Sequence, residues 1–132
     1  PHFTDAANEP RYHNTGLYNI DGQGALPGKD QGLADKTSNA NDIGKFRTPS
    51  LRNIAVSSPY MHDGSIASLE AVIDHYAAGG RAARTGRPPP QRSPLVEGFT
   101  LTEDERRDLI AFLRSLTDHD FLSNPNFVSP FR

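Results

Sequence analysis

Apolar residues in this chain gather into two short helical stripes set among long polar stretches. Ser68 is followed by Leu69, Val72, Ile73 and Tyr76 at i, i+3, i+4 and i+7, and Gly79-Gly80 closes the run. That spacing predicts a helix capped by Ser68, stopped by the glycines and buried on one face. A second stripe, Leu109, Ile110, Phe112, Leu113 and Leu116, follows Thr102 and Glu105, which have the spacing of a capping box. Between the stripes, residues 81–93 mix arginines with three consecutive prolines, the mark of an exposed, mobile and extended connector. Upstream, residues 1–45 are polar and repeat turn signals (NTG, DGQG, PGKD, NAND). A loop longer than ~15 residues in a compact domain is functional, disordered or wrapped around something. Pro49, Pro59 and Gly64 forbid a long helix in the segment that follows and leave room for one helical turn near 50–55. The tail HDFLSNPNFVSPFR reads as an extended arm that lays phenylalanines on the body. Runs such as FRTPSL are too short and proline-broken to carry a sheet. The fold class is therefore mainly α with long loops.

Composition sharpens this picture. Only 35% of the 132 residues are hydrophobic, and glycine and proline contribute 11 each without a collagen-like period. Such a chain builds a small core of its own, and a bound prosthetic group would supply the missing apolar mass. Fourteen basic against sixteen acidic residues, spread without a basic tract, argue against nucleic acid as a partner. No apolar run approaches ~18 residues, so no membrane span is expected, and PHFTDAANEP has neither the charge nor the apolar stretch of a signal peptide. Zero cysteines exclude disulfides and thiolate metal sites within these residues.

The string GKFRTPSLRNIAVSSPYMHDGSIASLEAVIDHY resembles the signature of the second haem domain of bacterial di-haem cytochrome c peroxidases and their MauG-like relatives. SPLVEGFTLTEDERRDLIAFLRSLTD is similar to that family's closing helix, FLSNPNF to its tail, and PHFTD and YHNTGL to the segments after its Cys-X-X-Cys-His motif. The resemblance covers Pro1 to Arg132 and omits only the attachment site. It implies a class I cytochrome c-like domain, present in part: haem-wrapping loops over 1–45, signature loop and helix over 46–80, connector over 81–98, C-terminal helix over 99–117 and tail over 118–132. It also implies haem c attached outside these residues, an N-terminal peroxidatic haem domain as partner, and a redox protein donor or protein substrate. The function implied is periplasmic electron transfer and peroxide-dependent oxidation, with this chain alone inactive. A second reading, favoured by the absence of cysteine, is a haem-free interaction module built on the same framework.

The resemblance places the distal haem ligand fourteen residues after His62, at Tyr76, where classical peroxidases carry Met and MauG-like members Tyr. A phenolate oxygen stabilises ferric and higher iron states better than a thioether. Tyr76 could equally complete the apolar stripe. Met61, the single methionine, is the alternative iron ligand or a gap-filler, and His75, off the apolar face, should face solvent. His62 and Asp63 have the composition of a proton-transfer pair. The competing reading has His62 bonded to backbone or a haem propionate and Asp63 capping the Gly64 turn; within the resemblance His62 supports the interface between domains, and no residue is catalytic. Arg47 and Arg52, flanking Pro49, can direct guanidinium groups at propionates or simply be solvated. Thr48 and Asn53 should brace that loop, and the resemblance lays Leu51 with the rest of this motif against the haem pocket. It further implies calcium held by the carbonyls of Ser57 and Pro59. Asp5, Asp21, Asp30 and Asp42 lack calcium-loop spacing and read as turn residues.

Overall fold

Local signals decide the two main helices. Ser68 accepts a hydrogen bond from the Ala71 amide and opens a helix over Leu69–Ala77, while Thr102 and Glu105 form a complete capping box at the head of a helix over Glu103–Ser115. The computed structural model describes residues 12–127, and their elements run β1 (Tyr12–His13), α1 (Ala34–Thr37), a 3-10 turn (Ala40–Asp42), β2 (Phe46–Arg47), a 3-10 turn (Ile54–Val56), α2 (Leu69–Ala77), a 3-10 turn (Arg81–Thr85), α3 (Glu103–Ser115), α4 (His119–Ser123) and a closing 3-10 turn (Pro125–Phe127). The fold is mainly α, as expected. Among the described residues the one ladder pairs β1 and β2 antiparallel, Tyr12 with Arg47 and His13 with Phe46, so the short FRTPSL run does lend two residues to a strand.

Leu17, Tyr60, Ile66 and Leu69 form the core, with Ile54, Met61, Val72 and Leu113 packed against it. No described side chain is less than 2% exposed, which is the small core that the composition implied. Ile73 and Ile110 are buried on the facing helices, whereas Phe112, counted in the apolar stripe, stays 55% exposed. Arg106 clamps α3 to α2 by donating to the Asp74 carboxylate at 2.6 Å and to the Glu70 carbonyl at 3.1 Å.

The long loops are held by side chains acting on backbone. Asp21, Asp30 and Asn39 accept amide hydrogen bonds from residues two ahead, the Asx turns their sequence suggests. Asp42 instead pairs with Lys45 at 2.9 Å and accepts from Thr37, and Asp5 lies outside the described residues. Asn14, 3% exposed, ties three segments together: its side chain accepts from the Gly16 amide and donates to the Ile43 carbonyl, and its own carbonyl accepts from the Ser93 amide. Residues 81–93 are therefore no free connector. Residues 84–88 are exposed, but Ala82, Pro89 and Ser93 are buried, and Gln91 donates to the carbonyls of Gln23 and Ala40. Proline supplies the extended backbone, and bonds to the loops fix where it lies.

Candidate functional site

Residues 46–53 fold into one wall of an open cleft of about 510 Å3, lined by Arg47, Thr48, Pro49, Ser50, Arg52, Asn53 and Phe121. Ser50 accepts from the Arg52 amide at 3.1 Å. Asn53 takes a left-handed conformation at φ 61°, which an asparagine tolerates better than most residues. Its amide donates to the Leu116 carbonyl at 3.0 Å, and its side-chain oxygen accepts from the Asp118 amide at 2.7 Å. Asn53 thus braces the loop against the end of α3 and not, as expected, within itself. The other wall comes from the tail, which lays a phenylalanine on the body as expected, although its described residues coil into α4 instead of running extended. Asp118 caps α4 by accepting from the Phe121 amide, so the chain coils and sets Phe121 under the Arg52 guanidinium, 4.9 Å from the ring centre, and against Phe127. Arg52 also holds the Asp118 carboxylate at 2.5 Å. The Phe121 amide and then the Arg52 guanidinium hold that carboxyl below its ordinary range. Five of the expected residues, Arg47, Thr48, Pro49, Arg52 and Asn53, meet here. Leu51 does not line the cleft. Phe121 and Asp118 were not foreseen, because about seventy residues separate them from the loop they complete.

A second turn carries Met61, His62 and Asp63. Tyr60 and Ile66 bridge in antiparallel fashion at its base, and Met61 sits at φ 72° with its side chain packed on the core. The His62 imidazole stacks on Phe46, ring centres 3.9 Å apart and planes within 9°. Burial there pushes its pKa down, with Asp63 and Asp30 pulling the other way. Asp63 accepts from the Ser65 amide at 3.0 Å and from the Tyr18 hydroxyl at 2.5 Å. Burial pushes the Asp63 carboxyl up, but the Tyr18 and Ser65 hydrogen bonds together outweigh it and hold the group low. His62 stacks on Phe46 and stands edge-on to Tyr18, whose hydroxyl goes to Asp63, and Asp63 caps the Gly64 turn as its alternative reading has it. Ser57 and Pro59 lie in an exposed turn nearby. No cluster of three or more His, Asp or Glu side chains suited to a metal occurs among the described residues.

On α2, Tyr76 is half-buried, and burial alone pushes its phenol above the ordinary value. Its hydroxyl makes no hydrogen bond among the described residues, whereas the Tyr60 hydroxyl donates to Ile54 and that of Tyr18 to Asp63. His75 corrects the expectation of a solvent-facing side chain: it is 3% exposed. Helical spacing places it off the apolar stripe, but the loop at Thr15 and the turn at Arg81 close over that side of α2 and satisfy both ring nitrogens.

The Cytochrome c family model matches residues 19–117. The chain is 36% identical to cytochrome-c peroxidase IdrP1 of Pseudomonas sp. (strain SCT) over 116 residues, 88% of this chain and 26% of that protein. It is 49% identical to the methylamine utilization protein MauG of Methylorubrum extorquens over 71 residues, 54% of this chain and 18% of that protein. A crystal structure of a MauG-like protein associated with microbial copper homeostasis matches with a TM-score of 0.86 at 50% identity, over 94% of this chain and 37% of that one. The chain spans about a quarter, or less, of the length of these curated relatives.

Proposed function

This chain belongs to the cytochrome c family, in its MauG-like and di-haem peroxidase branch, and from that premise we propose that it is the electron-transfer haem domain of a periplasmic di-haem oxidoreductase acting in peroxide-dependent oxidation. The observation that carries the reading is Tyr76. A half-buried phenol on a helix fixed at both ends, whose hydroxyl has no hydrogen-bond partner among the described residues, leaves its oxygen available to a group outside the chain.

The residues present fit a haem. The core is thin, and large apolar side chains such as Leu51, Val56 and Phe121 remain exposed, so the chain has apolar surface to give to a flat ligand. Tyr76 would hold the iron; Met61, the alternative, has its side chain packed on the core. Arg47, Thr48, Arg52 and Asn53 would direct donors at the propionates, with Arg52 shared between them and Asp118. When bound, the haem supplies one-electron chemistry, and an oxygen ligand biases its iron toward the ferric state. What these residues do is bind and orient: the cleft offers guanidinium donors to carboxylates, Phe46 and Phe121 keep His62 and Arg52 in place, and Tyr76 would present its phenol oxygen to the iron. With no cysteine in the chain, thioether attachment comes from residues outside it, as does a peroxidatic haem domain. The carbonyls of Ser57 and Pro59 complete this reading as calcium ligands facing that domain.

The test is the visible spectrum of the haem-loaded protein carrying this chain, oxidised and reduced, in wild type, Tyr76→Phe and Met61→Leu. The expected result is a change in Tyr76→Phe alone. A change confined to Met61→Leu would move the ligand to Met61, and the absence of any haem band in the wild type would replace this reading with a haem-free interaction module.

A further inference from the structure

We infer that His75 is a positioning residue that sets where the Tyr76 hydroxyl stands, by locking α2 to the loop before it and the turn after it through both nitrogens of one imidazole. The inference rests on Tyr76 being the haem ligand and adds to that reading the device that aims it.

The ring is 3% exposed, with Nε2 at 2.9 Å from the Thr15 carbonyl and Nδ1 at 3.1 Å from the Arg81 amide nitrogen. A carbonyl only accepts and an amide N–H only donates, so the partners dictate the tautomer: Nε2 carries the proton and Nδ1 offers its lone pair. A neutral ring with one role at each nitrogen admits one orientation. Thr15 and Arg81 lie 60 residues before and 6 residues after His75, and neither is on α2. The imidazole therefore joins three separate segments.

Those segments are joined at the same place by backbone. The Gly80 amide donates to the His75 carbonyl, the Gly79 amide to the Tyr76 carbonyl, and the Ala82 amide to the Gly16 carbonyl, each at 2.9 Å. Gly80 has φ +100°, and a Cβ there would stand 2.8 Å from the Gly16 carbonyl oxygen, so the approach is too close for any side chain. The exit of α2 is seated directly on residues 15–16, with His75 as the side chain filling the seat.

Tyr76 follows immediately, its ring edge-on to the imidazole with centres 5.1 Å apart and planes at 85°. Its hydroxyl has no hydrogen bond among the described residues to aim it. The direction of the phenol is thus left to ring packing and to the placement of the last turn of α2, and His75 packs on the ring and, with the backbone bonds, seats the turn. A ligand oxygen misplaced by about 1 Å is no longer at bonding distance.

The experiment uses the haem-loaded protein that carries this chain, comparing wild type, Tyr76→Phe, His75→Phe and His75→Gln by the phenolate-to-iron charge-transfer absorption of the oxidised form, with thermal unfolding measured alongside. His75→Phe keeps a flat ring and loses both hydrogen bonds; His75→Gln keeps a polar group near the Nε2 position. Loss of most of the phenolate absorption in His75→Phe, with partial return in His75→Gln, is the expected result. Phenolate absorption equal to wild type in both His75 variants, whatever their unfolding temperatures, would overturn the inference and leave His75 a purely structural residue. Should His75→Phe fail to fold, His75→Gln decides alone: absorption below wild type supports positioning and unchanged absorption refutes it. If Tyr76→Phe itself leaves the spectrum unaltered, the ligand assignment fails first, and the inference falls with it for that separate reason.

Discussion

Ile73 and Tyr76 share one helix and one apolar stripe but make opposite demands on the fold. Ile73 is 3% exposed, and Ile73→Ala should cost about 2–5 kcal/mol in urea unfolding, because the cavity left in a packed wall adds to the lost transfer energy. In the haem-free protein Tyr76→Phe removes a hydroxyl that bonds to nothing among the described residues, so there it should change stability by less than about 0.5 kcal/mol in the same measurement. A large loss would mean that the hydroxyl serves the fold and not a ligand. The Ser68–Tyr76 spacing made this helix and its apolar face legible. It carried no information about His75, whose burial depends on Thr15 and Arg81, residues that no local pattern connects to it. The same holds for Asn14, which beyond its local bond to Gly16 binds the distant Ile43 and Ser93.

Helix ends were legible because capping is a local contract between residues three apart. Thr102 and Glu105 keep it in full, and Thr102→Ala should destabilise the protein by about 0.5–2 kcal/mol, read as a lower urea midpoint with unchanged slope. The tail was not legible, since an aspartate before a short aromatic run reads equally as cap or loop. Asp118 caps α4, and that choice folds Phe121 back onto Arg52. The carboxyl is held below its ordinary value of 3.8 by the Phe121 amide and by Arg52. A group whose folded pKa is lowered stabilises the folded state above its unfolded pKa, and the contribution drains away as pH falls from there through the folded value. Circular dichroism in an acid titration from about pH 5 downward should therefore show a shallower loss of stability in Asp118→Asn than in wild type, because asparagine can still cap but does not titrate. Equal slopes would show that Asp118 contributes no pH dependence.

At the scale of the whole molecule, the balance of loop to core is the governing fact. Eleven glycines, eleven prolines and, among the described residues, no fully buried side chain leave little margin against the conformational entropy of the loops. The protein made without haem should unfold at a lower temperature than the loaded protein, because the apolar contacts a haem makes with the folded chain are then missing; equal midpoints in calorimetry would count against the cofactor reading. No helix among the described residues is long and apolar enough to cross a membrane. Spacing and composition by themselves determined the mainly α class, the two capped helices, the thin core and, through motif resemblance, the residues of the haem-domain signature. Tertiary structure alone decided that the arginine-proline segment packs against the loops, that the tail turns back to wall the cleft, and that His75 lies inside. The reason is one of range: caps and stripes depend on neighbours within two helical turns, whereas burial and hydrogen-bond partners across 60 or more residues exist only once the loops have closed.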